Sequence, residues 1–183
     1  FKPTMHKQAK ARFIYIGKVD ANREVGKLPE SVLKVGGKLK IVGSGNIMES
    51  MKRKWGDHED IEMIDSVPNY QIPALLSDAD VGLLPMPNKN IWNIASPLKL
   101  AEYAAAGLFV AGIDHCGHHV PFDAEWLFLS TTMEKAMMDA KQHIGSIEKS
   151  GKARSDAIHY MDWKNSIRIL EASLQQIIQN QNC

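Results

Sequence analysis

Two cysteines in 183 residues, Cys116 and Cys183, give neither a disulfide framework nor a four-thiolate zinc site. A reducing compartment is the natural setting for such a chain. Charge of one sign is also missing. Lys plus Arg is 22 and Asp plus Glu is 21, a formal net charge of +1, so the electrostatic footprint of a general nucleic-acid binder is absent. No apolar run approaches the ~20 residues needed to span a bilayer. Residues 1–12 are polar and basic, unlike a secretory signal. There is no Gly-Lys-Ser/Thr phosphate loop, no internal repeat and no low-complexity tract.

What is present is ordinary globular material, 44% hydrophobic and 23% charged, enough to bury a core without covalent staples. Short β-rich runs alternate with helical stretches. Strands are predicted at Arg12–Ile16, Lys38–Val42, Ile61–Ile64, Val81–Leu84, Leu108–Ile113 and Trp126–Leu129. Helices are predicted at Leu28–Val35, Ile47–Trp55, Ile72–Ala79, Pro97–Ala106, Met133–His143, a stretch ending at Tyr160, and Lys164–Gln179. Ser96 is a good N-cap with Pro97 at the first helical position, and Gly107 suits a left-handed C-cap. Ile167, Leu170, Leu174, Ile177 and Ile178 fall on one face of the last helix. Alternation of this kind, with near-continuous apolar strands, implies an α/β fold: a doubly wound parallel sheet, Rossmann-like.

Ligands of such sheets bind beyond the carboxyl ends of the strands. Those ends carry Gly17-Lys18, Gly43-Ser44-Gly45-Asn46, Asp65-Ser66-Val67 and Asp114-His115-Cys116-Gly117-His118-His119. Lys99 and Glu102 share one helix face close to a helix N-terminus, which attracts anions. A cation for phosphate beside a carboxylate for a ribose is one reading. A plain ion pair on a solvated face is the other. The Gly43-Ser44-Gly45 stretch lacks the third glycine of the dinucleotide fingerprint, which weakens a nicotinamide reading. The His115–His119 cluster matches no zinc spacing, so a loop that meets substrate or solvent is favoured over a metal site, and none is expected.

The ordered set of motifs resembles the C-terminal, donor-binding domain of GT-B glycosyltransferases, family four in particular. The resemblance runs from about residue 12 to 178. It is carried by Phe13-Ile-Tyr-Ile-Gly-Lys18, Leu39-Lys-Ile-Val-Gly-Ser-Gly45, Ile72 to Pro85, Ser96-Pro-Leu-Lys-Leu-Ala-Glu-Tyr-Ala-Ala-Ala-Gly107, Phe109-Val-Ala111 and Tyr160-Met-Asp-Trp163. It implies a glycosyltransferase donor domain that binds a nucleotide-diphosphate sugar and passes the sugar to an acceptor glycan or lipid-linked glycan. The expected setting is polysaccharide or glycoconjugate synthesis in the cytoplasm, with any peripheral membrane association carried elsewhere in the parent.

The same resemblance implies roles by position. Lys18 and Arg23 would face the diphosphate, Ser96 and Lys99 the phosphates, Gly43 and Ser44 the donor, Val67 the base, and Glu102 the ribose. No cofactor or metal is expected, and no catalytic base is assigned. Residues 1–11 would be a linker from an N-terminal Rossmann domain, and 12–183 the nucleotide-sugar domain. The family's other acid would stand where this chain has Ile94, which leaves the sugar and the stereochemical course open. The alternatives are a GT-B sugar-nucleotide epimerase and a non-catalytic module binding a nucleotide or a partner protein.

Overall fold

The computed structural model describes residues 10–95 and 98–181. Six strands, β1 (Ala11–Lys18), β2 (Gly37–Ser44), β3 (Ile61–Ile64), β4 (Val81–Leu84), β5 (Phe109–Ile113) and β6 (Leu127–Ser130), form one sheet in the order β3-β2-β1-β4-β5-β6. Every neighbouring pair is parallel. Parallel strands need crossovers and are covered on both faces, which is why β4 reads Val-Gly-Leu-Leu and is buried at every residue.

The helices are α1 (Leu28–Lys34), α2 (Met48–Trp55), α3 (Ile72–Ser77), α4 (Asn90–Asn93), α5 (Leu98–Ala106), α6 (Met133–Lys141), α7 (Ile147–Tyr160) and α8 (Trp163–Gln181). Helices α1 and α6 pack together on one side, while α5 packs against α3, α7, β4 and β5. The expected strands and helices are all found, with ends moved by a few residues. β1 takes in Ala11, the last residue of the expected linker, which is buried and paired with Gly37. Residues 1–9 and 182–183 lie outside the described residues. The segment α4 was not expected: a single helical turn has no room for a periodic pattern.

Chain punctuation follows local chemistry. Thr132 and Ser146 cap α6 and α7 by accepting from the Lys135 and Lys149 amides. Gly107 ends α5 at φ +79°, where a Cβ would lie 2.6 Å from the Arg154 guanidinium. The expected cap residues Ser96 and Pro97 fall outside the described residues. Just before β6, the Trp126 indole is fully buried and donates to Asp156 Oδ2 of α7 at 2.9 Å, so its one polar atom is satisfied.

The order of the strands reverses between β1 and β4, and the two diverge there. Their pairing covers only Phe13–Val81 and Ile14–Gly82. Tyr103 of α5, fully buried, fills the gap: its ring lies where a Cβ on Gly82 would be, 2.3 Å away, and its hydroxyl accepts the Ile16 amide at 3.0 Å. Burial pushes the Tyr103 hydroxyl pKa far above its usual range. The helix carrying Lys99 and Glu102 is therefore bolted into the point where the sheet changes direction.

Candidate functional site: the switch-point groove

Beyond the carboxyl ends of β1 and β2 lies a cavity of about 240 Å³. Lys18, Gly43, Ser44, Val67 and Lys99 line it, together with Asn69 and Ile72. At Asn69, Ile72 and Lys99 it meets a second cavity of about 540 Å³, whose wall includes Pro73, Leu76 and Glu102. The result is a groove that starts at the β1 and β2 turns and passes along α5 to α3. A site at the strand reversal is where doubly wound sheets take their ligands.

Six of the eight residues singled out from sequence thus line one groove. Lys99 Nζ and Glu102 Oε2 are 2.5 Å apart, with side chains 33% and 40% exposed. The plain ion-pair reading is realised here, and the pair also lies in the groove wall. Arg23 does not line either cavity. Ser96 falls outside the described residues.

Glycines at this edge serve the chain itself. Gly43 (φ +152°) stands beside Gly17, and a Cβ on Gly43 would lie 1.8 Å from the Gly17 carbonyl oxygen. A Cβ on Gly45 would lie 2.2 Å from the Val19 carbonyl oxygen. The turn is stitched to the segment after β1: Val19 N–H donates to the Ser44 carbonyl, the Asn46 amide to Asp20 Oδ1, and the Ala21 amide to Asn46 Oδ1. So Gly43, Gly45 and Asn46 are accounted for by packing between two loops. Ser44 keeps its hydroxyl at the cavity, where it accepts from Ser66 at 3.0 Å.

Charge is distributed unevenly between the two ends of the sheet. At the amino ends, Lys10, Arg12 and Lys40 meet Asp60, Asp78, Asp80 and Glu62. At the carboxyl end of β1, neither Lys18 nor Arg23 has a carboxylate partner among the described residues. Arg23 instead lies over the ring of Trp92 of α4, its Cζ 4.7 Å from the ring centroid. It also neighbours the buried Tyr15 hydroxyl, whose pKa burial pushes up to about 12 against the pull of the Arg23 charge. That hydroxyl donates to the Lys18 carbonyl at 2.7 Å. Arg23 therefore stands beside the Lys18 turn, outside the cavity wall.

The histidine loop after β5 is built inward. His115 and His118 are buried, their ring centroids 3.8 Å apart. His118 Nδ1 donates to the Ile113 carbonyl at 2.7 Å, and His115 Nδ1 accepts from the Gly117 amide at 3.2 Å. Burial lowers both pKa values, that of His118 to about 4. His119 is exposed and bonded to Asp114. Among the described residues no group of three or more His, Cys, Asp or Glu side chains is placed to hold a metal ion. Among the described residues no helix is long and apolar enough to cross a membrane.

Sequence reasoning missed Trp92, Tyr103 and Asn69. Gly82 inside an apolar strand was the available signal for Tyr103, since such a glycine marks a close approach. Trp92 sits among asparagines with no periodicity and gave none.

No protein-family model matches the chain, and no curated protein matches it. Solved structures do. Sucrose-phosphate synthase from Thermosynechococcus elongatus superposes with a TM-score of 0.70 at 15% identity, over 93% of this chain and 46% of that one. Anabaena HepE, solved in complex with UDP, gives 0.67 at 13% identity, over 91% and 49%. The catalytic domain of starch synthase IV from Arabidopsis thaliana, bound to ADP and acarbose, gives 0.64 at 11% identity, over 92% and 38%. The chain spans less than half the length of these three proteins. Its fold is that of one Rossmann-like half of a GT-B glycosyltransferase.

Proposed function

We propose that the chain is the donor-binding half of a GT-B glycosyltransferase, taking a nucleoside-diphosphate sugar in the switch-point groove. The observation that carries this reading is Lys18. It is a cation without a carboxylate partner among the described residues, at one end of a groove whose wall continues to Lys99 and Glu102. Solved GT-B proteins of the same fold hold UDP or ADP.

The chemistry follows from the charges. Transfer breaks the bond between the sugar's anomeric carbon and the phosphate oxygen. The electron pair leaves with the diphosphate, an acceptor hydroxyl oxygen bonds to the same carbon, and the hydroxyl proton passes to the departing diphosphate or to solvent. Lys18, Lys99 and Arg23 stabilise the departing charge, which is larger in the transition state than in the bound donor. Glu102 accepts hydrogen bonds from the ribose hydroxyls and so fixes the position of the donor. A donor lying along the groove separates the Lys99–Glu102 pair, each member exchanging its partner for a ligand group. Ile94 offers no hydrogen bond to the transferred sugar.

In this reading a second Rossmann-like domain supplies the acceptor side, and the acceptor is a glycan or lipid-linked glycan of polysaccharide or glycoconjugate synthesis. Trp163, Ile167, Leu170 and Leu174 of α8 are all exposed, a face suited to packing against that domain.

Calorimetric titration of UDP, GDP, ADP and dTDP into the chain tests the proposal. One diphosphate binds, and Lys18→Ala and Lys99→Ala each weaken it by about tenfold, the cost of losing a hydrogen bond to a charged group. Binding by none of the four, or equal binding by wild type and both variants, sinks the reading.

A further inference from the structure

Arg23 and Trp92 come from opposite sides of the strand reversal, one after β1 and one after β4. Each is held by its own backbone. Arg23 closes a tight 3-10 turn over Ala21–Arg23. The turn ends at Glu24 with φ +58°, the one non-glycine positive φ among the described residues. Such a conformation persists only where the surroundings impose it, often beside functional groups. On the other side, the Trp92 amide donates to the Lys89 carbonyl and its carbonyl accepts from Ala95. Gly117 presses on that same carbonyl, since a Cβ there would lie 2.1 Å from it. The Trp92 ring itself is half-buried against the core.

A guanidinium held over an indole by its charge keeps N–H donors for other partners. The Tyr15 hydroxyl takes one of them, and no carboxylate among the described residues takes the others. A free arginine chain would have to lose much rotamer entropy on meeting a ligand, and the contact removes part of that loss beforehand. We propose that Trp92 is a positioning residue for the donor diphosphate: its ring holds the Arg23 guanidinium beside the Lys18 turn with the other N–H donors open for phosphate oxygens. The inference rests on the donor-site reading and adds to it a residue that never touches the ligand.

The test compares two ligands on five proteins, the fifth combining Arg23→Ala with Trp92→Leu. Titrate whichever of UDP, GDP, ADP and dTDP binds the wild type, and also its bare nucleoside, into wild type, Trp92→Leu, Trp92→Phe, Arg23→Ala and the double variant. Trp92→Leu weakens the diphosphate by about fivefold and leaves the nucleoside unchanged. Trp92→Phe recovers most of the loss. In Arg23→Ala the further change Trp92→Leu costs nothing more, since the ring then has no cation to hold.

Wild-type diphosphate affinity in Trp92→Leu, with Arg23→Ala weakened, overturns the inference and leaves the donor site standing. Equal loss of diphosphate and nucleoside in Trp92→Leu, with no recovery in Trp92→Phe, makes Trp92 a structural residue and also overturns it. If no diphosphate binds the wild type, the donor site and this inference fall together.

Discussion

Gly43 and Gly17 stand side by side at the ends of β2 and β1, so close that a Cβ on Gly43 would touch the Gly17 carbonyl oxygen. The neighbour is backbone and cannot swing aside. Gly43→Ala therefore costs roughly 3 kcal/mol or more, from overlap and from the positive φ together. Chemical denaturation of the variant measures this, and a loss below about 1 kcal/mol would show that the two turns can separate.

Gly151 is the opposite case. It lies within α7, and a Cβ on it would have no neighbour within 4 Å, so alanine there meets open space. Gly151→Ala gains about 0.5–1 kcal/mol by restricting the unfolded chain and favouring the helix. An unchanged or lowered melting temperature contradicts the helical geometry at this position.

Lys99 and Glu102 are each a third or more exposed, so their pairing adds only about 0.5 kcal/mol or less to stability. Their substitution should be felt by the ligand instead. Glu102→Ala weakens nucleoside and nucleoside diphosphate alike, because the ribose is common to both. Lys99→Ala weakens the diphosphate alone. If both variants bind every ligand as wild type does, the pair is a surface ornament of α5.

His118 gives the fold a pH dependence. Burial lowers its pKa from 6.5 to about 4, so between those values the unfolded chain binds more protons than the folded one. Stability is then full above pH 6.5, falls as the pH drops, and has lost this contribution by about pH 4, on the order of 3 kcal/mol. His115, lowered for the same reason, adds in the same direction, while Asp114 opposes it weakly. The difference in melting temperature between wild type and His118→Gln, followed from pH 7 to pH 4, isolates the effect. A difference that stays constant across this range excludes it.

The alternation of strands and helices was plain in the sequence because two-sided burial makes each strand a short apolar block. Ile61–Ile64 and Val81–Leu84 were placed to the residue. The groove was legible for a different reason: in a parallel sheet, whatever follows each strand must converge at one edge. What stayed hidden depends on contacts between segments far apart in the chain. The separation between Arg23 and Trp92, and the insertion of Tyr103 over Gly82, are set by how β1 and β4 diverge. The glycines after β2 were visible, but whether ligand or backbone fills the space they leave is decided only by the neighbouring loop.

One buried hydrogen bond turns this architecture into a reporter. The Ile16 amide finds its acceptor in the Tyr103 side chain, where its neighbours in β1 find theirs in adjoining strands. Its deuterium exchange therefore tracks the seating of α5 separately from the breathing of the sheet. Slower exchange at this one amide when a diphosphate is added would be the signature of a ligand clamping the helix down, visible without any label or substitution.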